Sequence, residues 1–162
     1  MATTVNGYIA KENNETPWSD DEWLSFSKFV KEIKNIIIGK NTYEIMKKSD
    51  EFSKIGNPFM VVVSKEDFAH NSNFAIAKSP KEALKILKEK NFAKALIAGG
   101  GILKSSFMKE KLIDKIYLDI EPSVFGKGIK LFSDNDFEAK LELIGTKSLS
   151  KNTIQLHYKI LK

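Results

Sequence analysis

The sequence predicts an α/β protein: a three-layer α/β/α fold around a mixed, mainly parallel sheet that ends in an antiparallel C-terminal hairpin. Three observations predict it. Short unbroken apolar runs at Ile36-Ile37-Ile38, Met60-Val61-Val62-Val63 and Ala95-Leu96-Ile97-Ala98 have the length and composition of strands buried on both faces. Helix-start signals lie between these runs, and strands alternating with helices imply parallel pairing through crossovers. The C-terminal stretch instead alternates apolar with polar residues, the period of a strand with one covered face.

In chain order, a first helix is predicted over residues 19–34, because Ser19 and Glu22 stand in capping-box spacing ahead of an apolar stripe. The strand at 36–38 then leads through Gly39-Lys40-Asn41-Thr42 into a helix beginning Tyr43-Glu44-Ile45-Met46, with Asn41 and Glu44 again in capping-box spacing. Residues 60–63 form the next strand. Ser79-Pro80 with Glu82 marks another helix start, an N-cap followed by proline at the first helical position. The strand at 95–98 runs into Gly99-Gly100-Gly101 and then a helical stretch, Ile102-Leu103-Lys104-Ser105-Ser106-Phe107. Residues 141–148 and 153–161 pair as a hairpin through 149–152, with Ile154, Leu156, Tyr158 and Ile160 on one face and His157 on the other. His157 is thus expected as a surface strand residue. His70, in the polar stretch Ala69-His70-Asn71-Ser72-Asn73, has no evident partner.

Composition bounds the function. With 162 residues and 42% hydrophobic content the chain suits one core, so a single domain over residues 1–162 is expected, with no repeat or linker. No run approaches the ~18 apolar residues of a membrane span and no signal sequence opens the chain, which points to a cytoplasmic protein. The absence of cysteine excludes disulfides, thiolate metal sites and a cysteine nucleophile, and two histidines leave little for a zinc centre, so no metal is expected. The formal charge of +5 favours an anionic partner. All 26 basic residues are lysines interspersed with acids, which fits a solvated surface better than a nucleic-acid groove and leaves no guanidinium for bidentate contacts.

Three places combine a strand end with groups suited to an anion. Gly99-Gly100-Gly101 is a glycine turn between a strand and a helix, where backbone N–H groups can approach a phosphate at the positive end of the helix. Gly39-Lys40-Asn41-Thr42 adds an ammonium to a second helix N-terminus, and Ser64-Lys65 places a hydroxyl and an ammonium past a third strand. Ligands of open α/β sheets bind beyond the carboxyl ends of the strands, where all three lie.

These features, with Val5-Asn6-Gly7-Tyr8-Ile9-Ala10, Pro17-Trp18 and Ile116-Tyr117-Leu118-Asp119-Ile120-Glu121-Pro122 followed by Phe125-Gly126-Lys127-Gly128-Ile129-Lys130-Leu131-Phe132, resemble the dihydrofolate reductase superfamily, including the reductase domain of riboflavin biosynthesis. The resemblance spans nearly the whole chain. It implies an NADPH pyrophosphate loop at Gly39, Lys40, Asn41 and Thr42, and a second phosphate loop at Gly99, Gly100 and Gly101 continuing into Ile102. Lys40, Ser64 and Lys65 would surround the 2′-phosphate. Trp18 would lie in the loop over the nicotinamide, though plain packing explains it equally well, and Ala2, Trp23, Phe26, Asn57 and Ala98 would line the substrate site.

The departures concern the substrate. The acid that holds a pterin falls, by spacing from Pro17, on Trp23, one residue after Glu22. On a helical wheel Glu22 joins the inward stripe of Phe26, Phe29 and Ile33 while Asp21 points away, so Glu22 is a catalytic candidate, with capping as its other use. Asp119 is the second candidate, on a strand position where the family usually has threonine. Asn57 replaces the arginine that receives the folate tail, and the resemblance begins almost at Met1, so either the chain start is truncated or the first strand is abbreviated. The expected activity is NADPH-dependent hydride transfer to dihydrofolate, giving tetrahydrofolate. The alternative is the ribosylamino-pyrimidine of riboflavin synthesis, and a further one is a nucleotide-binding module without turnover. The expected partner is a small heterocycle, with no nucleic acid or membrane, in a monomer or homodimer.

Overall fold

The computed structural model describes residues 1–68 and 73–162, so the expectation for His70 lies outside the described residues. In chain order the elements are β1 (Ala2–Thr4), β2 (Tyr8–Ala10), α1 (Asp20–Ile33), β3 (Asn35–Gly39), α2 (Lys40–Lys48), α3 (Glu51–Lys54), β4 (Phe59–Val63), β5 (Phe74–Ala77), α4 (Pro80–Glu89), α5 (Gly101–Lys109), β6 (Lys115–Glu121), β7 (Ile129–Lys130), β8 (Lys140–Ser148) and β9 (Ile154–Leu161). They group into two compact units, residues 27–103 and residues 1–26 with 104–162.

Within residues 27–103, β3, β4 and β5 form a parallel sheet with β4 central. Ile36, Ile37, Ile38, Val61 and Val62 are completely buried, the outcome that continuous apolar runs predict; each contributes roughly 1.5–3 kcal/mol by leaving water. The start of α4 follows its sequence signal. Ser79 Oγ accepts from the Glu82 N–H at 3.2 Å, and the Glu82 carboxylate reaches back to the Lys78 N–H at 2.7 Å.

The strand expected at residues 95–98 is corrected to a single bridge between Ile37 and Ile97. Ile37 N–H donates to Leu96 O at 2.7 Å and Ala98 N–H donates to Ile37 O at 3.0 Å. The fully buried Asn35 side chain explains the shortening. Its amide donates to Lys94 O at 2.8 Å and its oxygen accepts from Leu96 N–H at 3.2 Å, taking up the main-chain groups a longer ladder would use.

In the other unit the strand order is β1-β6-β9-β8, and β2 pairs with β7 separately. β1 is parallel to β6, which sets Ala2 opposite Asp119 and Thr4 opposite Glu121. The C-terminal hairpin forms as predicted, with a register shift between Leu143 and Gly145. His157 is not a free surface residue. The β6 register puts Tyr117 opposite it, the two rings stack with centroids 3.9 Å apart, and its Nε2 is buried with no hydrogen-bond partner among the described residues. Burial, and then the Lys115 charge, hold this imidazole below its ordinary pKa. Among the described residues no helix is long and apolar enough to cross a membrane.

Candidate active site

The candidate anion-binding residues all belong to residues 27–103, and the sheet brings them to one end. Gly39 pairs with Val63 at the last rung of β3 and β4, so Lys40 and Ser64 follow neighbouring strand ends. Thr42 closes the third side. A Cβ on Gly99 would lie 2.8 Å from its Cγ2 and 2.9 Å from its Oγ1, so only glycine lets the two segments approach this closely. Gly100 serves a different need: its φ of +61° lies in the left-handed region, and an added Cβ would meet only Thr42 Oγ1 at 3.7 Å.

The start of α2 differs from the expectation. Its N-cap is Gly39, with no side-chain cap bond, and Asn41 lies inside the first turn, so Asn41 and Glu44 do not form a capping box. The first N–H groups of a nine-residue helix are left without side-chain acceptors, which suits an anion. Lys40 pairs with the exposed Glu66, whose carboxyl is held below its usual range by that hydrogen bond and by the lysine charge. A phosphate would therefore compete with Glu66 for this ammonium. Ser64 is buried and its Oγ accepts from Glu66 N–H at 3.1 Å, whereas Lys65 is exposed. Ala98 is half-buried, and Ile102, at the start of α5, is 75% exposed.

The carboxylates lie in the other unit. Glu22 is 5% exposed and Asp21 is on the surface, as the helical wheel predicts. Only half of the capping box forms. Ser19 Oγ accepts from Glu22 N–H at 3.3 Å, but its hydroxyl donates to Glu121 Oε1 at 2.8 Å. Thr153 Oγ1 donates to the same oxygen at 3.4 Å. Asp119 accepts from Gln155 Nε2 at 2.7 Å and from the Met1 ammonium at 3.2 Å. Glu22, Asp119 and Glu121 thus form a buried group, and Glu22 is pushed up to about 7, chiefly by burial and further by the charges of Asp119 and Glu121, against the opposing Met1 ammonium. Glu121 and Ser19 are the members of this group that sequence reasoning missed; the two-residue spacing of Asp119 and Glu121 on one strand was the available signal.

The remaining candidates are distributed. Trp18 is half-buried and stacks on Phe125 with centroids 6.0 Å apart, so packing accounts for it. Trp23 packs against Phe26 at 5.8 Å. Ala2 is buried on β1 beside Asp119. Asn57, in the other unit, is exposed in a left-handed turn with φ of 48° and lines a cavity of about 220 Å³ with Tyr43 and Phe52. Lys104 on α5 had no sequence assignment. It is buried with an unpartnered Nζ, and burial pushes its pKa down to about 7.

A parallel sheet with a glycine turn and a lysine-bearing helix start at its carboxyl end, and a separate mixed sheet carrying buried carboxyls, make up a dihydrofolate reductase-like fold. The chain belongs to the RibD C-terminal domain family, whose model matches residues 1–155; reductases of this type use NADPH. The uncharacterized protein YwjB of Bacillus subtilis is 31% identical over 98% of this chain and 94% of its own. A Shewanella sp. PV-4 protein assigned to riboflavin biosynthesis superposes with a TM-score of 0.81 at 20% identity, covering 100% of this chain and 97% of the other. The Thermotoga maritima diaminohydroxyphosphoribosylaminopyrimidine deaminase/5-amino-6-(5-phosphoribosylamino)uracil reductase gives 0.72 at 17% identity, covering 99% of this chain and 55% of the other. The last two likenesses concern the fold. The family favours the pyrimidine alternative over the dihydrofolate expected first.

Proposed function

We infer that the chain reduces a ribosylamino-pyrimidine of the 5-amino-6-(5-phosphoribosylamino)uracil type with NADPH. The observation that carries this reading is the family match over residues 1–155. The replacement of the folate-tail arginine by exposed Asn57 supports it, since a monocyclic substrate has no glutamate tail to receive. A ribosylamine opens to a C=N bond, and reduction adds hydride at carbon and a proton at nitrogen. NADPH supplies the hydride when bound. The uncapped N-terminus of α2 and the Gly99–Thr42 contact fit its pyrophosphate, with Gly39, Asn41, Thr42, Gly100, Gly101 and Ile102 nearby in sequence and Lys40, Ser64 and Lys65 toward the 2′-phosphate. Glu22, as the carboxyl that retains a proton near neutral pH, would hold the proton destined for nitrogen, and Asp119 would orient the ring. Ala2, Trp23 and Phe26 would line the ring site.

NADPH oxidation measured with this pyrimidine and with dihydrofolate tests the reading. Turnover of the pyrimidine at the higher kcat/KM is expected; turnover of dihydrofolate alone would overturn it. Lys40→Ala is expected to weaken NADPH binding by roughly tenfold, the loss of one charge-assisted contact, and to leave NADH binding nearly unchanged. Equal losses for both cofactors would put the 2′-phosphate elsewhere.

A further inference from the structure

The three buried carboxyls are served unequally. Glu121 receives the Ser19 and Thr153 hydroxyls, and Asp119 receives Gln155 and the Met1 ammonium. The Ser19 hydroxyl has one hydrogen, and that hydrogen goes to Glu121; one of the oxygen's lone pairs accepts from the Glu22 N–H. Among the described residues no protein hydrogen bond reaches the Glu22 carboxyl, which at 5% exposure is the least buried of the three. Of three neighbouring carboxyls, the one that receives no protein hydrogen bond holds its proton most firmly.

A neutral carboxyl presents one O–H donor beside one acceptor, whereas a carboxylate presents two acceptors. The two states read different ring edges. At its C2–N3 edge a uracil sets a carbonyl next to an N–H and matches the neutral form. At the same edge a 2-aminopyrimidin-4-one sets an amino group next to an N–H, two donors, and matches the ionised form. We propose that Glu121 is a positioning residue that engages the Ser19 hydroxyl and sets its own charge near Glu22, so that the proton stays on Glu22 and the pocket selects the uracil edge. This deepens the reductase reading above and rests on it. The charged groups that face Glu22 are Asp119 and Glu121 from β6, which favour the proton, and the Met1 ammonium, which opposes it.

The test combines two readouts in the wild type, Glu121→Gln and Glu22→Gln. One is the ratio of kcat/KM for 5-amino-6-(5-phosphoribosylamino)uracil to that for its 2-amino counterpart, from pH 5.5 to 9. The other is a carbon-13 NMR titration of the Glu22 carboxyl in the chain without substrate. In the wild type the ratio is expected to fall about tenfold as pH rises through the Glu22 midpoint, because the donor is lost. In Glu121→Gln, removal of a neighbouring negative charge should lower that midpoint by about one pH unit, and the fall in the ratio should follow it. The amide oxygen introduced by that substitution can still accept from Ser19, so the helix start is kept. Glu22→Gln, whose amide has both a donor and an acceptor, should hold the uracil preference at every pH while kcat falls.

An unmoved Glu22 midpoint in Glu121→Gln would reduce Glu121 to a cap for Ser19 and overturn its positioning role. A wild-type ratio that stays flat while Glu22 titrates would overturn the edge selection. If neither pyrimidine is turned over, the reductase reading fails separately. The NMR titration then still decides the role of Glu121, and the pH dependence of uracil against 2-aminopyrimidin-4-one binding decides the edge.

Discussion

Lys104 is the residue at which local chemistry and burial conflict most openly. Among the described residues its Nζ has no hydrogen-bond partner, and burial pulls its pKa down from 10.5 to about 7. Between those values the unfolded chain carries a proton that the folded chain has released. Stability is therefore gained as pH rises from about 7 toward 10.5, and the penalty is complete below about 7. Lys104→Met keeps the stem volume and removes the amine, so it should stabilise the fold by about 2 kcal/mol or more at pH 7. The gain should shrink by pH 10.5, as read from urea unfolding at both pH values; destabilisation at pH 7 would mean that the amine is satisfied in solution. Glu22 has the opposite sign. A raised carboxyl pKa means that stability is lost as pH rises from 4.5 toward about 7. Glu22 was legible as an inward acid from helical spacing alone. Lys104 was not, although it lies three residues before Phe107 and four before Met108, both buried, which is the spacing of an inward stripe.

Elements were most legible where one local rule acted without competition. The run Ile36-Ile37-Ile38 became a buried strand because nothing in it offers the backbone another partner. Its neighbour at residues 95–98 reads the same way yet makes one bridge, because the Asn35 amide, distant in sequence, takes the main-chain groups of Lys94 and Leu96. No inspection of 95–98 could show that. β5 escaped notice because Phe74-Ala75-Ile76-Ala77 is half alanine, a residue depleted in strands, with one β-branched residue. In the glycine turn the sequence shows three equivalent residues, and the structure separates them. Gly99→Ala should be the more damaging to cofactor binding, since its Cβ would collide with Thr42 and force the two loops apart. Gly100→Ala has the space and carries instead the left-handed backbone cost of roughly 1 kcal/mol. Comparing NADPH dissociation constants and unfolding free energies for the two variants checks this; equal dissociation constants would show that the Thr42 contact relaxes without moving the loops.

At the scale of the molecule, composition and element order were enough for the α/β class and the C-terminal hairpin, because these depend on periodicity summed over many residues. The substrate was less legible, since it turns on whether one carboxyl keeps its proton, and that depends on Ser19, Asp119, Glu121 and their donors meeting from separate parts of the chain. The discontinuity of that unit has a consequence during synthesis. Residues 27–103 are contiguous, so all their sheet partners emerge from the ribosome in succession. β1 must wait for β6, whose pairing residues lie more than a hundred positions later, a delay of roughly 5–20 s at ~5–20 residues per second. β9, which follows every other strand in chain order, is not an edge but lies between β6 and β8. The sheet that carries Asp119, Glu121 and Gln155 therefore completes only once β9 has emerged, and a nascent chain can hold the loops proposed for the phosphates before it holds the carboxyls proposed for the substrate.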